Sequence, residues 1–218
     1  MVMNNYITRP VDPSARHGAE ISKFFAVEQY TISIRHLILL SDLIPIFDWL
    51  TPRLSSSLWK NESPKSELLK SYEDSLLSEN QQSFMVEIRT NRTSRQIGQI
   101  DIEALADNKS IEGWHPVAGD YLVKMLISPD LRRFMNAFVN LLRTFIEYAF
   151  QFPGVARLVT HLDVEYQQAN DLLIVAGFER VGKEQLADYV VNAYSCTRAS
   201  LQGRGYQISN GDQEDQEE

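Results

Sequence analysis

The chain of 218 residues predicts a mixed α/β or α+β fold, and two adjacent segments carry much of that prediction. Tyr121 to Ile127 is almost uninterruptedly apolar, as expected for a strand in the middle of a sheet. From Ser128 to about Phe150, apolar residues recur at helical spacing and predict a long amphipathic helix. The third observation is the order of the predicted elements, which is strand, two helices, three strands, helix, strand, helix and two strands. In such an order, helices connect parallel neighbours in one sheet.

The N-terminal half supplies the first strand and two helices. Tyr30 to Leu39 is β-branched and partly alternating, which is typical of a strand. Asp42 is the predicted N-cap of a short helix that ends before Pro52. A second helix, with Pro64 in its first turn, is expected to run to about Leu77, because its apolar residues recur at helical spacing.

The remaining strands come from shorter patterns. Strands at 83–89 and 96–105 flank the polar turn TNRTSR, which predicts a hairpin, and Gly98 is expected to mark a bulge in the second strand. The loop that follows contains His115. Beyond the long helix, the expected elements are a strand at 157–164, a helix at 167–175 and strands at 178–182 and 187–197.

The pattern divides the chain into three parts. Residues 1–28 are irregular and are interpreted as an N-terminal arm with one short strand. Residues 29–200 form the predicted domain, which is long enough to bury a sizeable core. Residues 201–218 are expected to be a disordered acidic tail, since the last seven residues are only Asp, Glu and Gln.

Composition excludes several classes of protein. A net charge of −8 argues against a nucleic-acid binder, which normally has a basic surface. Cys196 is the only cysteine, so an internal disulfide and a Cys-rich zinc site are both excluded, and no His, Asp or Glu cluster has metal-ligand spacing. No segment has the length of a membrane span, and the N-terminus does not look like a signal peptide. We therefore expect a cytoplasmic protein without a membrane or nucleic-acid partner.

Several runs resemble, in the same order, the GNAT (GCN-five-related) N-acetyltransferase superfamily over roughly residues 30–198. Within it the chain looks most like the siderophore-biosynthesis acetyltransferases of the aerobactin and mycobactin type, which act on a free or hydroxylated lysine side-chain amine. The runs are DLIPIFDWL from Asp42, GQIDIEAL from Gly98, Leu126 to Pro129, LLRTFIEYAFQFPGVAR from Leu141, EYQQAN from Glu165 and AGFERV from Ala176. The resemblance implies a GNAT fold, with a mixed central sheet of about six to seven strands flanked by about four helices.

The resemblance also implies a site for acetyl-CoA or another acyl-CoA. In the family, backbone amides after the fourth strand, here Leu126 and Ile127, and at the start of the central helix hold the CoA. Helix N-termini suit anions, and glycines let the backbone approach phosphates closely. Here the family's glycine positions hold Phe134, Asn136 and Phe138.

A second alignment of this loop remains open, in which the motif begins at Arg132 and places Met135 at the key glycine. Arg132 and Arg133 could pair with phosphates, because guanidinium binds them in a bidentate way. The alternative is that both arginines form a solvated first turn. Asn170 matches the family position that contacts the CoA arm, and a helix-start role is its alternative.

The family's catalytic pair is replaced in this chain. Lys124 stands where the family has a His on its fourth strand, and Gln167 stands where it has an Asp. Amine acylation needs a group that accepts a proton and donors that hold the thioester oxygen. His115 and Glu103 are the further candidates, and His161 is interpreted as a satisfied residue of a strand.

Two functions follow from these residues. The first is a CoA-dependent N-acyltransferase for an amine of a small molecule, with a siderophore precursor as the implied acceptor and Lys124, His115 and Glu103 near it. The alternative is a catalytically inactive GNAT-fold binding or regulatory protein, in which Phe134 and Phe138 fill the former cofactor groove. The expected assembly is a monomer or a homodimer.

Overall fold

The structure is a computed structural model that describes residues 20–50, 69–70, 72–74, 77–78, 80–105, 116–129, 135–186 and 189–202. The described strands are β1 Ile21–Phe25, β2 Tyr30–His36, β3 Gln81–Arg89, β4 Ser94–Ala104, β5 Asp120–Ile127, β6 Arg157–Asp163, β7 Glu179–Leu186 and β8 Tyr189–Thr197. The described helices are α1 Leu39–Leu50, α2 Met135–Ala149, α3 Gln167–Ala176 and α4 Arg198–Gln202. Residues 69–70 and 72–74 are also helical.

The eight strands form one sheet in the order β1-β2-β3-β4-β5-β6-β8-β7. Neighbouring strands are antiparallel except β5 and β6, which run parallel. The connection from β5 to β6 contains α2, as a parallel crossover requires. The sheet therefore changes from a meander to a crossover between β5 and β6.

The two faces of the sheet carry different helices. On the α2 face, aromatic and branched side chains from β2 to β6 form the main core with α2, and the rings of Phe84, Phe145 and Tyr148 contact one another. The α1 face buries a smaller cluster against α1, which consists of Leu37, Leu43, Ile46, Trp49, Tyr72, Met85 and Leu126. Alternate residues of a strand point to opposite faces, so β4 and β5 contribute to both sides.

Most predicted elements are present, and the strand count is higher than expected because β1 lies in the N-terminal arm and pairs with β2. The bulge expected near Gly98 is confirmed, because the β3–β4 register shifts there: Val86 pairs with Gly98 and Glu87 with Gln96. The helix predicted from Pro64 and the start of the helix predicted from Ser128 lie largely or partly outside the described residues.

The prediction that Asp42 is an N-cap is wrong. Helix α1 begins at Leu39, and Asp42 lies in its first turn, fully buried. Its carboxylate accepts a hydrogen bond of 2.7 Å from the backbone N–H of Ile38 and pairs with both terminal nitrogens of Arg35, at 2.7 and 2.8 Å. An arginine on β2 thus holds the carboxylate inside the helix start, a partner that local sequence does not reveal.

Candidate active site

The parallel pair β5 and β6 separates after a short contact. Its register contains only Asp120 with Arg157, Tyr121 with Leu158, and Leu122 with Val159. Strand β5 continues to Ile127 without pairing to β6, while β6 pairs with β8 along its other edge over its whole length. The opening between the two strands beyond Leu122 and Val159 is called the split below.

The closed end of the split is held by backbone and side-chain bonds. The carbonyl of Gly119 accepts hydrogen bonds from the backbone N–H groups of Ala156 and Arg157, at 2.9 and 3.1 Å. Arg157 also donates from Nε to Oδ1 of the buried Asp120 at 2.8 Å. Gly119 has φ +92°, and a Cβ there would lie 2.8 Å from the Cβ of Ala156. Glycine is therefore needed where the two strands meet.

The backbone of β5 presents polar groups to the split. The carbonyl of Asp120 accepts a hydrogen bond from the backbone N–H of Leu105, and the N–H of Ser128 donates to the carbonyl of Ile97. In an antiparallel pair, alternate residues bond to the neighbouring strand, so the even-numbered residues from 120 to 128 direct their backbone groups to β4. Because the register with β4 is regular, the odd-numbered residues face the other way. The backbone groups of Met125 and Ile127 therefore point towards the split.

Two of the three predicted catalytic residues meet at this opening. Lys124 lies two residues beyond the last β5–β6 pair, on the α1 face, and its Nζ is 3.2 Å from Oε2 of Glu103 on β4. The Lys124 side chain is 44% exposed and that of Glu103 17%, so the pair borders solvent. His115, the third predicted residue, lies outside the described residues.

A buried polar chain adjoins this ion pair, and sequence analysis missed it as part of a site. The Tyr72 hydroxyl donates to Oε1 of Gln99 at 2.6 Å, and Nε2 of Gln99 donates to Oδ1 of Asp101 at 2.8 Å. Asp101 is the cross-strand neighbour of Lys124. Burial raises the pKa of Asp101, against the opposing effects of the Gln99 hydrogen bond and the Lys124 charge. The alternation in GQIDIE, with polar residues between isoleucines, was the available signal.

The predicted cofactor residues fall into different environments. The Leu126 side chain packs in the cluster under α1, whereas the backbone of its neighbour Ile127 faces the split. Asn136 is exposed in the first described turn of α2. Arg132 and Arg133 lie outside the described residues.

Asn170 is buried in a network between α3 and the sheet. Its Nδ2 donates to the carbonyls of Asp163 and Tyr166, at 2.9 and 2.8 Å. Its Oδ1 accepts from Asn192 and from the Tyr194 hydroxyl, at 2.7 and 2.6 Å. These four bonds use the hydrogen-bonding capacity of one amide side chain. The amide therefore joins the start of α3 to β6 and β8.

Solved structures with the same architecture were found, although sequence comparisons gave no match. No protein-family profile matches the chain, and no curated protein sequence matches it. Among solved structures, an uncharacterized protein (bh2621) from Bacillus halodurans matches 84% of this chain and 93% of its own, with TM-score 0.70 and 18% identity. Aminoglycoside acetyltransferase AAC(6')-Ib in complex with coenzyme A matches over 80% and 99%, with TM-score 0.66 and 18% identity.

A chimera of spermidine N-acetyltransferase SpeG from Vibrio cholerae and hSSAT matches over 79% of this chain and 99% of its own, with TM-score 0.63 and 18% identity. The chain has the GNAT fold. The predicted fold class is thereby confirmed, and at this identity the likeness shows the fold alone. In the described part of this GNAT-fold chain, no helix is long and apolar enough to cross a membrane. Among the same residues, no group of three or more His, Cys, Asp or Glu side chains could hold a metal ion.

Proposed function

We propose that this chain is an acyl-CoA-dependent N-acyltransferase that transfers an acetyl or other acyl group to an amine of a small molecule. The observation that carries the proposal is the split, where β5 and β6 diverge after three residue pairs. It occurs in the fold of an acetyltransferase whose structure contains coenzyme A. An opening between parallel strands at the point where the sheet topology changes is a common location for a ligand.

The split offers what an acyl-CoA requires. The pantetheine arm of CoA carries amides, which can pair with the backbone groups of Ile127 that face the split. A backbone N–H there would also stabilise the negative charge that develops on the thioester oxygen. Arg132, Arg133 and Asn136, before and within the first turn of α2, would hold the phosphates, since a helix N-terminus attracts anions.

Glu103, Lys124 and His115 would form the acceptor side. Amines are cations in neutral solution, and the carboxylate of Glu103 at the mouth of the split would attract them. The net charge of −8 would add a long-range attraction for cationic substrates. Two proteins of the same fold carry names that specify cationic acceptors, aminoglycosides and spermidine. The resemblance to siderophore enzymes adds the side-chain amine of lysine or hydroxylysine to this proposal.

Calorimetry with acetyl-CoA and longer acyl-CoAs tests the proposal. We expect micromolar binding that weakens in the double variant Arg132→Ala, Arg133→Ala. The matched control is Arg89→Ala, Arg92→Ala, which removes two exposed arginines, one at the end of β3 and one in the β3–β4 turn. Absence of binding for every acyl-CoA would contradict the proposal and favour the inactive, GNAT-fold binding protein.

Turnover is measured as release of the CoA thiol with spermidine, kanamycin, lysine and N6-hydroxylysine as acceptors. The only cysteine, Cys196, is fully buried and adds little to a thiol assay of the native protein. A preference for N6-hydroxylysine would support the siderophore precursor, whereas a preference for spermidine or kanamycin would assign a polyamine-type acceptor. Acyl-CoA binding without turnover of any amine would also favour the inactive alternative.

A further inference from the structure

His161 on β6 occupies the position that corresponds to Lys124 on β5. The last pair of these parallel strands is Leu122 with Val159, and Lys124 and His161 each lie two residues beyond it. Paired residues of parallel strands point to the same face, and residues two apart share a face. Leu126, also on this face of β5, packs against α1, so both side chains lie on the α1 face. Lys124 and His161 therefore flank the split on the same face of the sheet.

A buried carboxylate accompanies His161. Its Nε2 lies 3.2 Å from Oε2 of Glu184 on β7, and this contact passes over β8, where the register partner of His161 is the small Ala193. Glu184 is only 9% exposed. Within the described part of the chain, Oε2 has no hydrogen bond of normal geometry, so the 3.2 Å approach of the His161 ring is an ion-pair contact. A buried carboxylate oxygen left to one imidazole requires an explanation, and orientation of that imidazole is one.

The charge state of this imidazole suits proton acceptance. Burial lowers the pKa of His161 below its ordinary value, while the charge and hydrogen bond of Glu184 act in the opposite direction. The lowered pKa favours the neutral ring, which has one N–H and one lone pair. A proton on Nε2, the ring nitrogen beside Glu184, leaves the lone pair at Nδ1, for which no hydrogen bond is present among the described residues.

The charged groups around His161 on the described elements are few. Glu184 lies on β7, Asp163 follows on the same face of β6, and Lys124 stands across the split. The neighbouring positions of β8, Val191, Ala193 and Ser195, carry no charge. Glu184 is thus the charged group in direct contact with the ring.

We propose that His161 is the catalytic base of the acylation and that Glu184 is its positioning residue; this inference rests on the proposed function. The amine nitrogen attacks the thioester carbonyl carbon, a C–N bond forms and the C–S bond breaks. Nδ1 of His161 accepts the proton that the nitrogen loses, and the imidazolium returns it to the leaving sulfur. Acyl-CoA and amine thereby yield amide and free CoA thiol, with no further reactant.

The experiment measures kcat/KM against pH for the wild type and three variants. His161→Gln is expected to lower kcat by about 100- to 10,000-fold, the usual contribution of a general base, and to remove the acidic limb of the profile. Glu184→Gln should move that limb to lower pH, because the carboxylate raises the pKa of His161. The control is His36→Gln, which alters a β2 histidine that is 17% exposed, against 18% for His161, and that lies 3.5 Å from a carboxylate, Glu20.

Calorimetry with acetyl-CoA and thermal unfolding show that each variant is folded and binds the cofactor. Proton titration of the His161 ring by NMR, assigned through its absence in His161→Gln, should give the pKa of the acidic limb. Turnover whose acidic limb persists in His161→Gln would overturn the role of His161 and leave the proposed function intact. Acetyl-CoA binding without turnover of any acceptor would overturn both.

Discussion

Tyr194 donates a hydrogen bond of 2.6 Å to the side-chain oxygen of Asn170, and this bond ties β8 to the start of α3. Asn192 donates to the same oxygen, and the Asn170 amide nitrogen holds two carbonyls around the β6–α3 turn. Both Asn170 and Tyr194 are buried, so the polar groups of each side chain need the other as a hydrogen-bond partner in place of water. The side-chain amide of Asn170 therefore joins β6, β8 and the start of α3.

Replacing Asn170 by Ala is expected to lower the free energy of unfolding by about 2–4 kcal/mol, because buried donors and carbonyls lose their partner. Urea unfolding measures the change. Gln168→Ala is the control, since Gln168 is exposed on the same helix. Equal stability of the two variants would contradict the structural role. Calorimetry of the folded Asn170→Ala variant with acetyl-CoA separates that role from the CoA contact implied by the resemblance.

The ion pair between Arg35 and Asp42 predicts a second stability change. Asp42→Ala leaves Arg35, whose side chain is only 13% exposed, without its bidentate partner. We expect a loss of about 3–5 kcal/mol in unfolding free energy, as is usual when one member of a buried pair is removed. Asp48→Ala, at an exposed position of the same helix, is the control. A loss no larger than the control's would show that the pair is not needed.

Asp101 predicts a pH dependence of stability. Below the usual aspartate pKa of about 4, the carboxyl is protonated in both the folded and the unfolded states. Burial raises the pKa in the folded state, so above that pH the unfolded chain ionises first and stability falls until the folded pKa is reached. Asp101→Asn cannot ionise. Its stability relative to the wild type should therefore rise as pH increases above about 4.

The measurement for Asp101 is urea unfolding of both proteins at a series of pH values. Asp171→Asn, at an exposed position of α3, should show no such divergence. Wild-type and Asp101→Asn curves that stay parallel across the acidic range would refute the effect of burial.

Glu103 predicts a change in acceptor affinity. Glu103→Gln removes the carboxylate beside Lys124 and should raise KM for a cationic acceptor about tenfold or more, since a hydrogen bond to a charged group contributes about 1.5–3 kcal/mol. The dissociation constant of acetyl-CoA should change little. Steady-state kinetics measures KM for the acceptor, and calorimetry measures the dissociation constant of acetyl-CoA. The control is Glu28→Gln in the exposed β1–β2 turn. An unchanged KM would place the acceptor elsewhere.

Local patterns predicted most of the fold. Tyr121 to Ile127 is apolar enough to identify β5, and the spacing of Leu141, Leu142 and Phe145 identifies α2. The start of α1 differs from the prediction, because aspartate is a common N-cap residue but Asp42 instead pairs with Arg35, which reaches it from β2. Such a contact depends on how two elements pack, and the spacing of residues along the chain does not predict it.

The candidate site was predicted less completely. Lys124 and Glu103 were named from the sequence, and the β4–β5 register brings them within 3.2 Å of each other. His161 was interpreted as a satisfied residue of a strand, because its neighbours along the chain reveal neither Glu184 nor the split. The sequence does not indicate a role for Asp101, since its link to Tyr72 runs through Gln99 and depends on how distant segments pack.

The sequence by itself determined the kinds and order of the elements, because hydrophobic periodicity and turn residues act over a few neighbouring positions. It also determined the acidic charge and the single cysteine. Only the tertiary structure decided where β5 leaves β6 and which side chains face each other across that opening. Strand register is fixed by pairing between distant segments, so the positions of Lys124 and His161 on either side of the split follow from packing of the whole sheet.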